Sequence, residues 1–202
     1  EPSPHLPAPK DVEIYSYNFH SLLRWSPVQV EGGPVLYTVH YSTGAFPEWS
    51  ELNCSQIPQP QCELPPSLQR RRWTLWLRLR AERGSRASPW LLTGPFVPER
   101  NTTLGPPRVN SVSASPDSLL ISVTPPFTLE RGERLHYLVS YWENATSSAE
   151  EEPVVKTETL FQIGNLKEST LYCFSIWVEL ETIYGLLPGQ HSAPECHRTA
   201  TS

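Results

Sequence analysis

Hydrophobic and polar positions alternate with a period of two over many short stretches, and proline-rich polar turns separate them. The stretch VLYTVHYS from Val35 sets Tyr37, Val39 and Tyr41 on one face, and LHYLVSYW from Leu135 does the same with Tyr137, Val139 and Tyr141. The longer runs TLWLRLRAE and LYCFSIWVELE alternate in the same way. A period of two gives each strand one buried and one solvated face. The pattern therefore predicts a core of Leu23, Trp25, Tyr37, Val39, Tyr41, Leu119, Ile121, Tyr137, Val139 and Tyr172. No stretch sustains a helical period over three turns.

The strand pattern occurs twice. PAPKDVEIYSYNFHSLLRWSPV from Pro7 and GPPRVNSVSASPDSLLISVTPPF from Gly105 share one order: prolines, an alternating strand, a polar turn, Ser-Leu-Leu, and a second strand closed by proline. The later strands repeat at an offset of about 100 residues. Short strands joined by turns at this spacing predict an all-β sandwich in each half. The division expected is residues 1–104 and 105–202, with the boundary inside PERNTTLGPP (98–107). In the second half, LKESTLYCF places Leu166, Thr170 and Tyr172 as the tyrosine corner of fibronectin type III domains does, and the fold class expected is two tandem domains of that type. The matching strand of the first half is expected to start at Trp73, without a corner tyrosine.

Composition agrees with strands rather than helices. The 202 residues include 22 prolines and 10 glycines, and proline suits turns while breaking helices. The net charge of −5 argues against a general nucleic-acid binder, which carries a basic face. Yet seven of the thirteen arginines fall between Arg70 and Arg86, and RRRWTLWLRLR mixes them with tryptophan. Such a stretch is a candidate for nucleic acid or a glycosaminoglycan, or for a protein stacking on itself. As a strand it places Trp73, Leu75, Leu77, Leu79 and Ala81 on a core face, and Thr74, Trp76, Arg78, Arg80 and Glu82 on the other.

Four cysteines allow three pairings, of which Cys54–Cys62 with Cys173–Cys196 leaves one bridge in each half. Sequons at Asn53, Asn101 and Asn144 join this even cysteine count in pointing to an oxidising, secretory setting. The opening EPSPHLPAPK has no apolar signal core, and no run reaches the ~18 apolar residues of a membrane helix. These features fit a soluble protein or a trimmed extracellular fragment. No catalytic motif occurs: the six histidines, from His5 to His197, are scattered, and Glu150–Glu152 lacks the spacing of a calcium loop. Neither an enzyme, a metal site nor a cofactor is expected.

Several stretches resemble class II cytokine receptors: YNFHSLLRWSPV (17–28), NCSQIPQPQCEL (53–64) with its two cysteines, and LRLRAERG (77–84) with a tryptophan soon after. The resemblance implies the extracellular part of a single-pass type I plasma-membrane receptor. Its partners would be a helical cytokine, a high-affinity alpha chain and, through a cytoplasmic tail, a Janus kinase. It also implies contact loops near the domain elbow. On this sequence these are STGAFPEW with Phe46 and Trp49, PPSLQRRR with Leu68 and Arg71, PPFTLERGERLH with Phe127, Leu129 and Arg131, and TIYGLLPG with Tyr184 and Leu187. SRASPW (85–90) is similar to a degenerate Trp-Ser-x-Trp-Ser element, which implies a cation–π stack of Trp76, Arg78, Arg80 and Trp90. The competing class is a fibronectin-type adhesion module, although no Arg-Gly-Asp occurs.

Overall fold

A computed structural model describes residues 6–43, 46–68, 71–145 and 152–202, with the side chains of Phe46 and Pro47 excepted. Among the expectations above, the Phe46 side chain, His5, Arg70, Glu150 and Glu151 lie outside the described part. The chain divides into two compact units, Glu1–Thr102 and Thr103–Ser202. Each is a β-sandwich of the fibronectin type III kind.

The strands of the first unit are β1 (Lys10–Tyr17), β2 (His20–Ser26), β3 (Leu36–Thr43), β4 (Phe46–Glu51), β5 (Gln61–Glu63), β6 (Leu75–Arg83), β7 (Arg86–Ala87) and β8 (Leu91–Leu92). One sheet runs β1-β2-β5; the other runs β4-β3-β6-β7, with β8 also on β6. The alternation of β6 fills the core with Leu75, Leu77, Leu79 and Ala81, all nearly inaccessible. Leu23, Val39 and Tyr37 meet them from β2 and β3. Trp25 sits edge-on to Tyr37, ring centres 5.3 Å apart. The Tyr37 hydroxyl accepts the Val28 N–H at 2.8 Å, so this buried phenol keeps a polar partner. Tyr41 is only half-buried, packed at the core margin where the β3–β4 register shifts.

The second unit contains β9 (Arg108–Ala114), β10 (Leu119–Thr124), β11 (Leu135–Glu143), β12 (Val154–Lys156), β13 (Leu160–Ile163), β14 (Leu171–Thr182), β15 (Gly185–Pro188) and β16 (Glu195–Arg198). Its sheets are β13-β10-β9 and β12-β11-β14-β15, with β16 on β14. Leu119, Ile121, Tyr137, Val139, Phe174, Ile176 and Val178 close the core. Ahead of β14, the buried Tyr172 accepts the Lys167 N–H on its hydroxyl at 2.9 Å, which is the tyrosine-corner bond. Cys54 bonds Cys62, eight positions further along the chain, and Cys173 bonds Cys196 directly across the β14–β16 ladder.

One strand boundary differs from the sequence pattern. β6 begins at Leu75, which exchanges both backbone hydrogen bonds with Phe96 at 2.7 and 2.8 Å. Trp73 precedes it in a turn and is 43% exposed, so it is not a core residue. Alternation assigns Trp73 to the core face only if the strand reaches it, and the ladder stops two residues short. The boundary stretch 98–101 forms one helical turn, with Pro98 at its start.

Candidate functional site

The outward face of β6 carries a stacked ladder. The Arg78 guanidinium lies 4.6 Å from the Trp49 ring centre and 4.0 Å from that of Trp90, and Arg80 lies 4.4 Å from Trp90. Arg80 then donates to Glu82 at 2.8 Å, and Glu82 accepts the Thr38 hydroxyl at 2.7 Å. Among the described residues no guanidinium lies over Trp76; Trp49, from β4, one strand beyond β3 in the same sheet, takes that rung. The sequence places Trp76 and Arg78 on one face, but residues two apart on a strand are side by side rather than stacked. A long aromatic side chain from elsewhere in the sheet, such as Trp49 on β4, can cover the planar guanidinium.

His40 completes this cluster. Its ring lies 4.6 Å from Trp90, and its Nδ1 faces the Arg78 guanidinium at 3.1 Å. Burial, then the Arg78 and Arg80 charges, lower its pKa below the ordinary histidine value, with Glu51 and Glu82 opposing. Burial and the neighbouring Arg80 likewise lower Arg78. As pH falls through about 6.5, the unfolded chain protonates His40 first, while the folded chain stays neutral. The unfolded state then binds more protons, so stability drops with pH until the lower folded value is reached. His40→Phe keeps a ring on Trp90 and removes the titration. It is expected to flatten the fall in melting temperature between about pH 7 and about pH 5, and an unchanged slope would refute the assignment.

Three further described arginines of the dense stretch, Arg71, Arg72 and Arg83, are also engaged. Arg71 lies 4.1 Å from the Phe19 ring, and Arg72 pairs with the buried Glu99 at 3.4 Å. Phe19 sits at the β1–β2 turn with φ of 67°, and its N–H is held by the Thr102 hydroxyl at 3.0 Å. Arg83 donates to the carbonyls of Glu31 and Gly33. A region whose cations already serve the fold is poorly suited to neutralising a phosphate or sulfate backbone.

The loops of the first unit offer a groove of about 250 Å³, lined by Tyr41, Thr43, Glu48, Ser50, Leu68 and Trp73. Leu68, in the 3₁₀ turn Pro66–Leu68, is half-buried against the core. Trp73 is the exposed aromatic here, and sequence reasoning missed it by extending β6 too far.

In the second unit, the β10–β11 loop exposes Leu129 and Arg131, while Phe127 is half-buried. Gly132, with φ of 88°, lets this loop turn back, so that Glu133 accepts the Glu130 N–H at 2.7 Å. The β14–β15 hairpin turns at Ile183-Tyr184, where the Thr182 hydroxyl accepts the Tyr184 N–H at 3.0 Å and donates to the Gly185 carbonyl at 2.7 Å. Its tip is apolar and open: Ile183 is 62%, Tyr184 49% and Leu186 56% exposed. Leu187 pairs with the core residue Leu180 and is half-buried, so alternation presents Leu186 outward instead. The sequons are all surface asparagines: Asn53, Asn101 and Asn144 are exposed. Among the described residues no cluster suits a metal ion, and no helix is long and apolar enough to cross a membrane.

Two sandwiches, one disulfide in each, and an arginine–tryptophan ladder are the features that the resemblance to class II cytokine receptors implies. The family model for tissue factor matches residues 1–90, and that for the interferon-alpha/beta receptor fibronectin type III domain matches 102–200. The chain belongs to the class II cytokine receptors. Human interferon gamma receptor 2 is 30% identical over 195 residues, 89% of this chain and 57% of that protein. Sheep interferon alpha/beta receptor 1 is 28% identical over 85% of this chain and 31% of its own length. Human interleukin-20 receptor subunit beta is 27% identical over 83% and 54%. The chain thus spans between 31% and 57% of the length of these relatives. In fold it is similar to the chicken interferon gamma receptor alpha chain, with a TM-score of 0.82 at 20% identity over 97% of this chain and all of that one. A two-domain fibronectin type III segment of chicken tenascin scores 0.51, also at 20% identity, over 96% and 99%.

Proposed function

We propose that the chain is the extracellular part of an accessory class II cytokine receptor subunit on a single-pass type I plasma-membrane protein. It joins an interferon-gamma–alpha-chain complex, and its cytoplasmic tail brings a Janus kinase beside the one on the alpha chain. The function is recognition, with no catalysis and no cofactor. The observation that carries this reading is the 30% identity to human interferon gamma receptor 2 along 89% of the chain. RNTTLGPP, SLLISVTPPF, YLVSYWE and GNLKESTLYC are the stretches most like an interferon-gamma receptor beta chain. The two functional modules are residues 1–104 and 105–202. Each presents its own contact surface: Trp49, Leu68, Arg71 and Trp73 in the first, and Leu129, Arg131, Ile183, Tyr184 and Leu186 in the second.

The mechanism is proximity. A weak second contact becomes effective once its partner is already tethered in the same membrane, because the tether sets a high local concentration. An interleukin-10 or interleukin-20 receptor beta chain would use the same frame with another helical cytokine. An adhesion module is less favoured, because local disulfides and the arginine–tryptophan ladder set this chain apart from a plain fibronectin array. Surface plasmon resonance tests the reading, with interferon gamma flowed over the immobilised ectodomain alone or already bound to its alpha chain. Binding is expected to strengthen by about tenfold or more with the preformed complex. Equal binding in both arms sinks the accessory role, and a response to an interleukin-10-type cytokine instead would reassign the ligand.

A further inference from the structure

The first unit has an open groove of about 870 Å³ along one side, between β1 and the segment Leu91–Phe96. Its floor is apolar, formed by Val12, Ile14, Leu91 and Phe96, and Leu92 beside it is 63% exposed. Both strands here are edges: β1 ends the sheet β1-β2-β5, and β8 pairs only with β6. The edge of β1 is also interrupted, since its register shifts between Lys10 and Glu13 and Asp11 takes a φ of 57°. Exposed edges beside apolar side chains invite pairing with another chain, and folded proteins cover or interrupt them. The bulge interrupts this one; among the described residues no element covers it.

Asn101, the acceptor of the Asn101-Thr102-Thr103 sequon, lines this same groove and is exposed. Its Oδ1 accepts the Val97 N–H at 2.7 Å, which fixes the amide and leaves Nδ2 for attachment. We infer that an N-linked glycan on Asn101 lies in this groove and covers the β1 and β8 edges. The proximal sugars set their C–H faces on Val12, Ile14 and Leu92, and their hydroxyls meet the groove's polar rim at Lys10, Asp11 and Thr93. Attachment forms a bond from Nδ2 to the anomeric carbon of a lipid-diphosphate-linked oligosaccharide. The bond from that carbon to the phosphate oxygen breaks, and the lipid diphosphate leaves with the amide proton. The inference rests on the chain being secreted, as the proposed function requires, but not on any cytokine.

The test uses the ectodomain secreted from mammalian cells. Peptide mass spectrometry reads the occupancy of each sequon, and hydrogen exchange reads residues 12–14 and 91–93. Thr103→Ala removes the sequon and keeps Asn101, while Asn53→Gln is the control. Loss of the Asn101 glycan is expected to speed exchange of those segments about tenfold and to produce concentration-dependent self-association, with the control unchanged. Should Thr103→Ala fold poorly, enzymatic removal of the glycan from the folded secreted protein gives the same comparison. An occupied Asn101 whose removal leaves exchange unchanged overturns the inference, because the sugar then projects into solvent. An empty Asn101 beside occupied Asn53 or Asn144 overturns it and spares the extracellular reading; three empty sequons overturn both.

Discussion

Tyr184→Ala is expected to weaken capture of the cytokine–alpha-chain complex by about thirtyfold while leaving the melting temperature of the second unit nearly unchanged. The Thr182 hydroxyl accepts the Tyr184 backbone N–H and donates to the Gly185 carbonyl, so the turn does not depend on the ring and the substitution keeps the hairpin. At 49% exposed, beside Ile183 and Leu186, the ring belongs to an apolar tip too open to serve a core. Aromatic residues in such positions dominate interfaces because they bury a large area for few frozen rotors. Ile183→Asp should act in the same direction by placing a charge in the contact. Leu160→Asp is the matched control: Leu160 is 55% exposed in the same unit but lies on strand β13 and not on the β14–β15 hairpin. Plasmon resonance on the three variants decides the point. If Leu160→Asp weakened capture as much as Tyr184→Ala, the hairpin would lose its special role.

Much of the frame was legible in the sequence because period-two alternation and proline-rich turns are local signals. The core residues from Leu23 to Tyr172 follow from which face of a strand is apolar, and only Tyr41 slips to the margin where a register shift intervenes. Contacts across strands were harder to read. Trp49 and His40 enter the ladder through β4 and β3, elements separated from Arg78 by 29 and 38 residues, and no spacing rule along β6 announces them. Trp73 was misplaced for a related reason: where a strand stops is set by its partner, here Phe96, and not by its own pattern. Leu186 and Leu187 illustrate the finest level. Both are apolar and adjacent, and only the pairing of Leu187 with Leu180 decides which one faces solvent.

Trp90→Ala is expected to destabilise the first unit by about 2–4 kcal/mol, read as a lower midpoint in a urea melt. Trp90 receives two guanidiniums at 4.0 and 4.4 Å and the His40 ring at 4.6 Å. Each arginine contact contributes about 0.5–1 kcal/mol. The rest comes from the lost apolar area and from exposing the Arg80–Glu82–Thr38 chain that the indole helps shelter. Because Trp90 is only half-buried, the full cost of a buried tryptophan does not apply. A double-mutant cycle separates stacking from area. Trp90→Ala with Arg78→Ala should show a coupling of about 0.5–1 kcal/mol or more, as should Trp49→Ala with Arg78→Ala. The cycle of Trp76→Ala with Arg78→Ala should show almost none, since the Arg78 guanidinium lies over Trp49 and Trp90 instead. Coupling of Arg78 to Trp76 equal to its coupling to Trp90 would mean that the ladder runs along β6 alone. His40, Trp49 and Trp90 would then be neighbours of the stack rather than its rungs, and the three strands would not be locked together through it.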